Sequence, residues 1–483
     1  RRKKVASPMA FEKFKGAATR KAVGATVDGV LKYVNKDRVK GLNRLVDISE
    51  YLVGDLYPDA VFDGARRMIA DPDNKWMKYV NSMLDDLDPH VVKTHILNIG
   101  YQAGFYGYAK TNRFEEEHGY RIPWIILMDP TSACNKHCIG CWSAEYGNRL
   151  NLSYEDLASI VRQGEELGIY FYMMTGGEPL VRKDDIIRLA REFPKSMFYA
   201  FTNGSLITDE FAETMRELGN ISLALSIEGF EGDNDARRGE GSFQEVVKAM
   251  EILKNHGLVF GTSICYTSKN YKMVTSDEFL DFLIDHGVRY NWYFHYMPVG
   301  NEASTELLLT PEQREYMYHR VREIRDFDGG KPIFTFDFQN DGEFVQGCIA
   351  GGRFYCHINP NGDVEPCVFI HYSNANIHDK TLLECLSQPL FQEYQKHQPF
   401  NCNHLQPCPM LENPEILGKI VHDVDAVSTD LQSPETPEHL CAKCVDYAAD
   451  WAPKAQELMA AHPHLTPAEV ATLREEQRRQ SQL

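Results

Sequence analysis

Between residues 122 and 300 the chain repeats one pattern six times: a short apolar run, a turn, then an amphipathic helical stretch. The runs are "IPWIILM", "IYFYMM", "FYAF", "ISLALSI", "LVFGTSICY" and "YNWYFHYM", spaced about 35 residues apart. Such short runs, dense in β-branched and aromatic residues, read as buried strands, and the intervals between them are too long for hairpins. Strands joined through helices pair in parallel and cross over right-handedly, so the segment is expected to form a parallel α/β sheet or a partial barrel. The helix opened by Ser153 has Asp156 three residues on, a capping arrangement. Upstream, Phe11, Phe14, Ala18, Val27, Val30, Leu31 and Val34 recur at roughly helical spacing. Downstream the alternation stops near residue 300, and a helix capped at Thr310-Pro311 leads into a cysteine-bearing stretch. Four regions are expected: a helical N-terminal region with a basic arm (1–120), the α/β unit (121–300), a small cysteine-rich α+β unit (301–450) and a polar helical tail (451–483). The tail carries a capping box from Thr466 to Glu469.

Charge and cysteine usage narrow the function classes. Residues 1–45 hold thirteen Lys or Arg against Glu12, Asp28 and Asp37, a net +10 on a chain of net −18, so the remainder is −28. An acidic body of that size argues against a broad nucleic-acid surface, and no nucleic-acid partner is expected. No apolar run reaches the roughly 20 residues that span a bilayer. Nor does a basic–apolar–small leader stand at the start, so the twelve cysteines are expected in a reducing cytoplasm, where they point to metal or redox chemistry.

Three of those cysteines, Cys134, Cys138 and Cys141, crowd into "CNKHCIGCW" just after the first strand, at the end where β/α folds build their sites. Three thiolates can hold three irons of a 4Fe–4S cluster and leave the fourth iron open, which suits a catalytic centre better than a structural one. After the second strand comes "TGGEP", where Gly176 and Gly177 allow a ligand to approach the backbone and Glu178 supplies a carboxylate.

The two motifs together, C-x3-C-x2-C and GGEP, resemble the radical S-adenosylmethionine (SAM) superfamily over residues 121–300. The resemblance implies a partial (β/α)6 TIM-like barrel in which SAM chelates the open iron. One electron from the cluster then yields methionine and a 5′-deoxyadenosyl radical that abstracts hydrogen from substrate. It further implies SAM contacts from the backbone around Gly176, Gly177 and Glu178, and from Asn203, Ser226, Glu228 and Arg238. A small donor such as flavodoxin or ferredoxin would supply the electron. One position departs from the family pattern: Gly140 stands before the third cysteine where an aromatic residue usually packs the adenine, which leaves Trp142 or Ile139 as candidates for that contact.

"CIAGGRFYCHINPNGDVEPC" reads as a hairpin turning at Asn361-Gly362, with Cys348 and Cys367 near its two ends. With Cys402, Cys408, Cys441 and Cys444 beyond it, the stretch resembles the auxiliary-cluster extension called SPASM or twitch. The dense cysteine block of that extension is reduced here to Cys402 and Cys408. The resemblance implies at least one auxiliary 4Fe–4S cluster on Cys348, Cys367 and Cys408 with either Cys441 or Cys444. Cys265, Cys356 and Cys385 read as buried thiols.

The expected function is radical SAM chemistry, with the substrate open. The basic front favours a lipid or membrane-borne substrate, held by residues 1–45 docking on an anionic membrane from its cytoplasmic face. The alternatives are a peptide-modifying (RiPP-type) SPASM enzyme and a non-catalytic iron–sulfur electron carrier.

Overall fold

A computed structural model describes residues 20–461, apart from 35, 54–58, 144–146, 148, 301–302 and 328. Phe11, Phe14, Ala18 and the Thr466–Glu469 capping box lie outside the described residues. All six expected strands form: β1 (Ile125–Met128), β2 (Phe171–Met174), β3 (Met197–Thr202), β4 (Ile221–Ser226), β5 (Phe260–Tyr266) and β6 (Tyr290–His295). They pair in parallel in sequence order, with at least one helix between each successive pair. Ser153 and Asp156 form the reciprocal capping box, and Thr310 forms a second one with Gln313.

The sheet does not end at residue 300. The helix Pro311–Arg325 returns the chain to β7 (Phe334–Asp337), parallel to β6, so a seventh β/α unit closes that edge. At the other edge β8 (Tyr355–Ile358) adds parallel to β1, and β9 (Val364–Glu365) folds back on it as the expected hairpin. The strand order is β7-β6-β5-β4-β3-β2-β1-β8-β9. The cysteine-rich stretch is thus built onto the barrel's own sheet. "FTFD" had offered only four residues, too short for periodicity to mark β7 as a strand.

The helical front closes the end of the barrel opposite the cysteines. Asp88 N donates to Gly257 O ahead of β5, and Tyr79 Oη donates to Arg289 O ahead of β6. Arg289 pairs with Asp86 at 2.7 Å, and Asn98 Nδ2 reaches the carbonyls of Pro194 and Ser196 ahead of β3. Every one of these contacts falls at the start of a strand. The described part of the basic arm comprises the helix Arg20–Val34 and the start of the helix Arg38–Val53, and it offers the membrane reading no support. Val27, Val30 and Val34 face inward, with Val30 and Val34 packing against Leu42, Ile69 and Met77, so this apolar stripe is internal packing and no inserting face. The C-terminal helix differs too. It runs Val445–Ala460, starting before the expected tail, and buries Trp451 over the Arg314 guanidinium at 4.3 Å.

Candidate active site

The loop that follows β1 carries Cys134, Cys138 and Cys141 onto the wall of a cavity of about 370 Å³ at the C-terminal mouth of the barrel. The GGEP loop after β2 packs directly on the approach to these cysteines. Gly177 N donates to Thr131 O (3.0 Å) and Glu178 N to Ala133 O (2.9 Å). A methyl on Gly176, which sits at φ +102°, would lie 2.5 Å from Thr131 O, and one on Gly177 would lie 2.2 Å from Ala133 O. The paired glycines are therefore required by the close approach of two backbone segments, a reason the sequence reading had given to a ligand. With the N–H groups of Gly177 and Glu178 engaged, no backbone N–H of the described residues donates to the carbonyls of Gly176 and Gly177. That cradle suits an ammonium group.

Glu178 is buried, and its carboxylate is turned onto its own chain. Leu180 N and Thr202 Oγ1 donate to one oxygen (3.0 and 2.6 Å) and Asn203 N to the other (2.8 Å). Burial raises its pKa, against the pull of these donors. This glutamate locks the ends of β2 and β3 together, where the sequence had suggested a direct cofactor contact. Asn203 carries the brace onward, donating to Asn135 Oδ1 inside the cysteine loop at 2.8 Å.

On the far side of the loop, Ser226 ends β4 and Glu228 lies just beyond it, 1% exposed. Arg238 binds both oxygens of Glu228, with Nη2 at 2.8 Å, and directs its remaining nitrogen Nη1 to 3.9 Å from Cys138 Sγ. Arg237 also pairs with Glu228, at 2.7 Å, and its Nε holds Ile139 O at 3.1 Å. Burial alone would raise the Glu228 pKa, but Arg238 and then Arg237 outweigh it and hold the carboxyl below its ordinary value. Burial pushes the Cys134 thiol up to about 11 and raises Cys138 as well, so uptake of iron must displace protons from this loop.

The structure answers the departure at Gly140. A methyl there would sit 2.8 Å from Cε2 of Tyr296, so a ring from the residue after β6 fills the space that a side chain at 140 would take. Trp142 lines the cavity too, stacked on His371 (6.2 Å) and edge-on to His357 (5.8 Å). His357 itself is buried between Glu365 (2.6 Å from Nδ1) and Asp129 (3.0 Å from Nε2). The Asp129 contact is an ion pair by distance without the alignment of a hydrogen bond. Sequence reasoning missed Arg237, Tyr296, Asp129 and His357. Asp129 follows the first quoted strand and Arg237 adjoins Arg238, while Tyr296 and His357 lie within quoted runs whose spacing gives no sign of which partners they meet.

Cys348, Cys367 and Cys408 line the same cavity. Tyr355 Oη donates to Cys367 Sγ at 2.7 Å, while Cys408 Sγ accepts from Met410 N and Leu411 N, both at 3.4 Å. Cys441, in the helix Pro437–Ala442, and Cys444, at the N-cap of the C-terminal helix, are buried and do not line the cavity, and Cys402 is exposed. Cys356 and Cys385 are buried as expected, whereas Cys265 lines the cavity. Phe201, Trp292, Phe294, Phe336 and Phe338 form the intervening wall, with Trp292 stacked on Phe336 at 4.5 Å. Two clusters of thiols on one barrel cavity, one beside a carbonyl cradle, fit iron–sulfur clusters and the amino acid end of SAM.

Comparison with known proteins agrees with this geometry. Residues 128–291 match the family model described as radical SAM superfamily, and residues 348–410 match SPASM, an iron–sulfur cluster-binding domain. The chain belongs to the radical SAM superfamily and is an enzyme of its SPASM type, with 4Fe–4S clusters and SAM as cofactors. Among its relatives is the mycofactocin maturase MftC of Mycolicibacterium smegmatis, 30% identical over 298 residues, spanning 58% of this chain and 72% of that one. An AdoMet-dependent heme synthase of Oleidesulfovibrio alaskensis is 24% identical over 58% of this chain and 80% of its own. In fold the chain is similar to Streptococcus suis SuiB bound to S-adenosylmethionine. The TM-score is 0.51 at 19% identity, over 63% of this chain and 76% of that one. Among the described residues no helix is long and apolar enough to cross a membrane.

Proposed function

We propose that the protein is a peptide-modifying radical SAM enzyme. In this reading Cys134, Cys138 and Cys141 hold the catalytic cluster, and Cys348, Cys367 and Cys408 hold the auxiliary one. The observation that carries it is the single cavity of about 370 Å³ reached by both groups of cysteines. A reduced 4Fe–4S cluster with SAM on its open iron supplies a 5′-deoxyadenosyl radical that takes a hydrogen atom from substrate. The chain's own residues bind and orient. The carbonyls of Gly176 and Gly177 accept from the amino group of SAM, and the Nη1 edge of Arg238, backed by Glu228, meets its carboxylate. Ser226 offers a hydroxyl at the end of β4, Asn203 steadies the cysteine loop, and the aromatic wall restricts what enters. A small protein such as flavodoxin or ferredoxin delivers the electron.

A peptide substrate takes the place of the lipid for two reasons. The 30% identical relative is named a maturase. In addition, the cavity's cations Lys136 and Arg237 each pair with an acid of this chain and the open edge of Arg238 is assigned to SAM, which leaves a phosphate headgroup poorly served. The test is anaerobic incubation of reduced enzyme with SAM and short peptides encoded beside its gene, against anionic lipid vesicles. A change in peptide mass in step with 5′-deoxyadenosine supports the reading. Turnover confined to the lipid overturns the peptide assignment.

A further inference from the structure

Tyr394 is fully buried, and its hydroxyl has no hydrogen-bond partner within the protein. It stands on the helix Pro389–His397, whose end is clamped to the cysteine-bearing loop: Gln398 Nε2 donates to Ala350 O at 2.9 Å and more loosely to Cys348 O. The ring lies over Gly351, where a methyl would come within 2.6 Å of its Cβ. Gly351 N in turn donates to Pro366 O, next to Cys367. Tyr394 is thereby wedged between the loops carrying Cys348 and Cys367, and its electrostatic neighbours are the thiols of Cys348, Cys367, Cys408 and Cys441.

Burying a phenol without an acceptor is costly, so such a group calls for a partner that the protein atoms do not supply. The ionisable side chains acting on it are all thiols. We propose that the Tyr394 hydroxyl donates a hydrogen bond to the auxiliary iron–sulfur cluster and raises its reduction potential. The inference rests on the reading that Cys348, Cys367 and Cys408 hold that cluster. Reduction adds negative charge to the cluster, and a donated hydrogen bond stabilises the more negative state. Tyr355, already bonded to Cys367 Sγ, provides an internal standard for one hydroxyl-to-sulfur contact.

The experiment uses the full chain carrying Ala at Cys134, Cys138 and Cys141, so that only the auxiliary cluster contributes. Its midpoint potential is followed by EPR-monitored redox titration, with and without Tyr394→Phe, and with Tyr355→Phe for comparison. Tyr394→Phe keeps the ring packing and is expected to lower the ratio of reduced to oxidised cluster at fixed potential about tenfold, a shift of ~59 mV for one electron. Loss of auxiliary iron in Tyr394→Phe, with unchanged circular dichroism, also supports the contact, because only the hydroxyl has been removed. An unchanged potential at full iron content overturns the role of Tyr394 and leaves the cluster reading intact. Absence of any cluster in the triple-alanine background, or its persistence after Cys348 and Cys408 are also replaced, overturns the cluster reading and the inference with it.

Discussion

At the scale of single residues, the buried carboxylates do most to separate structure from chemistry. Glu228 neutralises two arginines at the rim of the cysteine loop. Replacing it with Ala leaves two largely buried cations without a carboxylate and is expected to cost about 3–5 kcal/mol, with weaker SAM binding as Arg238 swings away. Urea unfolding beside equilibrium dialysis with SAM checks both, and unchanged SAM affinity would remove Arg238 from the cofactor site. Glu178 is the second such carboxylate. All its recorded donors come from its own chain, so Glu178→Ala should cost about 2–4 kcal/mol and lose SAM binding as a consequence. His357 gives the pH dependence. Burial works against its charge, but Asp129 and Glu365 prevail and raise its pKa to about 10. The folded value lies above the ordinary one near 6.5, so its stabilisation is complete below about pH 6.5 and is lost as pH rises through about 10. The gap in melting temperature between the wild type and His357→Gln should be widest near pH 6 and shrink towards pH 10. A constant gap would mean that the ring is neutral in the folded protein.

At the scale of elements, the two cysteine-bearing loops proposed to carry the chemistry are each braced from a different part of the chain. The catalytic loop is held by the GGEP turn, by Asn203 after β3 and by Arg237 after β4. The auxiliary loop depends on Arg314, which is fully buried and binds Glu412 Oε1 at 2.6 Å, while Glu412 Oε2 takes the N–H of Cys408 at 2.7 Å. Arg314→Met strands Glu412 in the core, so a loss of about 3–5 kcal/mol is expected, with auxiliary iron lost before catalytic iron. Iron analysis alongside chemical denaturation reads both, and full iron content in a destabilised protein would uncouple this pair from Cys408. The sequence made the six β/α units, the two cysteine groups, the caps at Ser153 and Thr310 and the β8–β9 hairpin legible, because each is written in local spacing. It did not reveal β7, or that the auxiliary segment joins the sheet beside β1, because pairing between distant strands leaves no local periodicity. Tyr296 filling the place beside Gly140 is hidden for the same reason: the two positions are 156 residues apart in the chain.

At the scale of the whole molecule, the helical front seals the barrel at the strand starts, and both cysteine groups open on the other end. In the proposed reading, substrate enters from the side of the C-terminal strand ends. Purified and reconstituted under anaerobic conditions, the protein should bind more than four irons per chain, since one 4Fe–4S cluster accounts for four and a second set of thiols awaits the rest. Four or fewer irons, with zinc making up the difference, would remove the auxiliary cluster. The central claim is that Cys134, Cys138 and Cys141 hold the cluster that cleaves SAM. The measurement that tests it most directly is 5′-deoxyadenosine release by reduced, iron-loaded protein, wild type against the variant with all three cysteines replaced by Ala. The wild type is expected to release it, and the variant to release none while keeping the visible absorbance of its auxiliary cluster; 5′-deoxyadenosine from the variant would contradict the assignment.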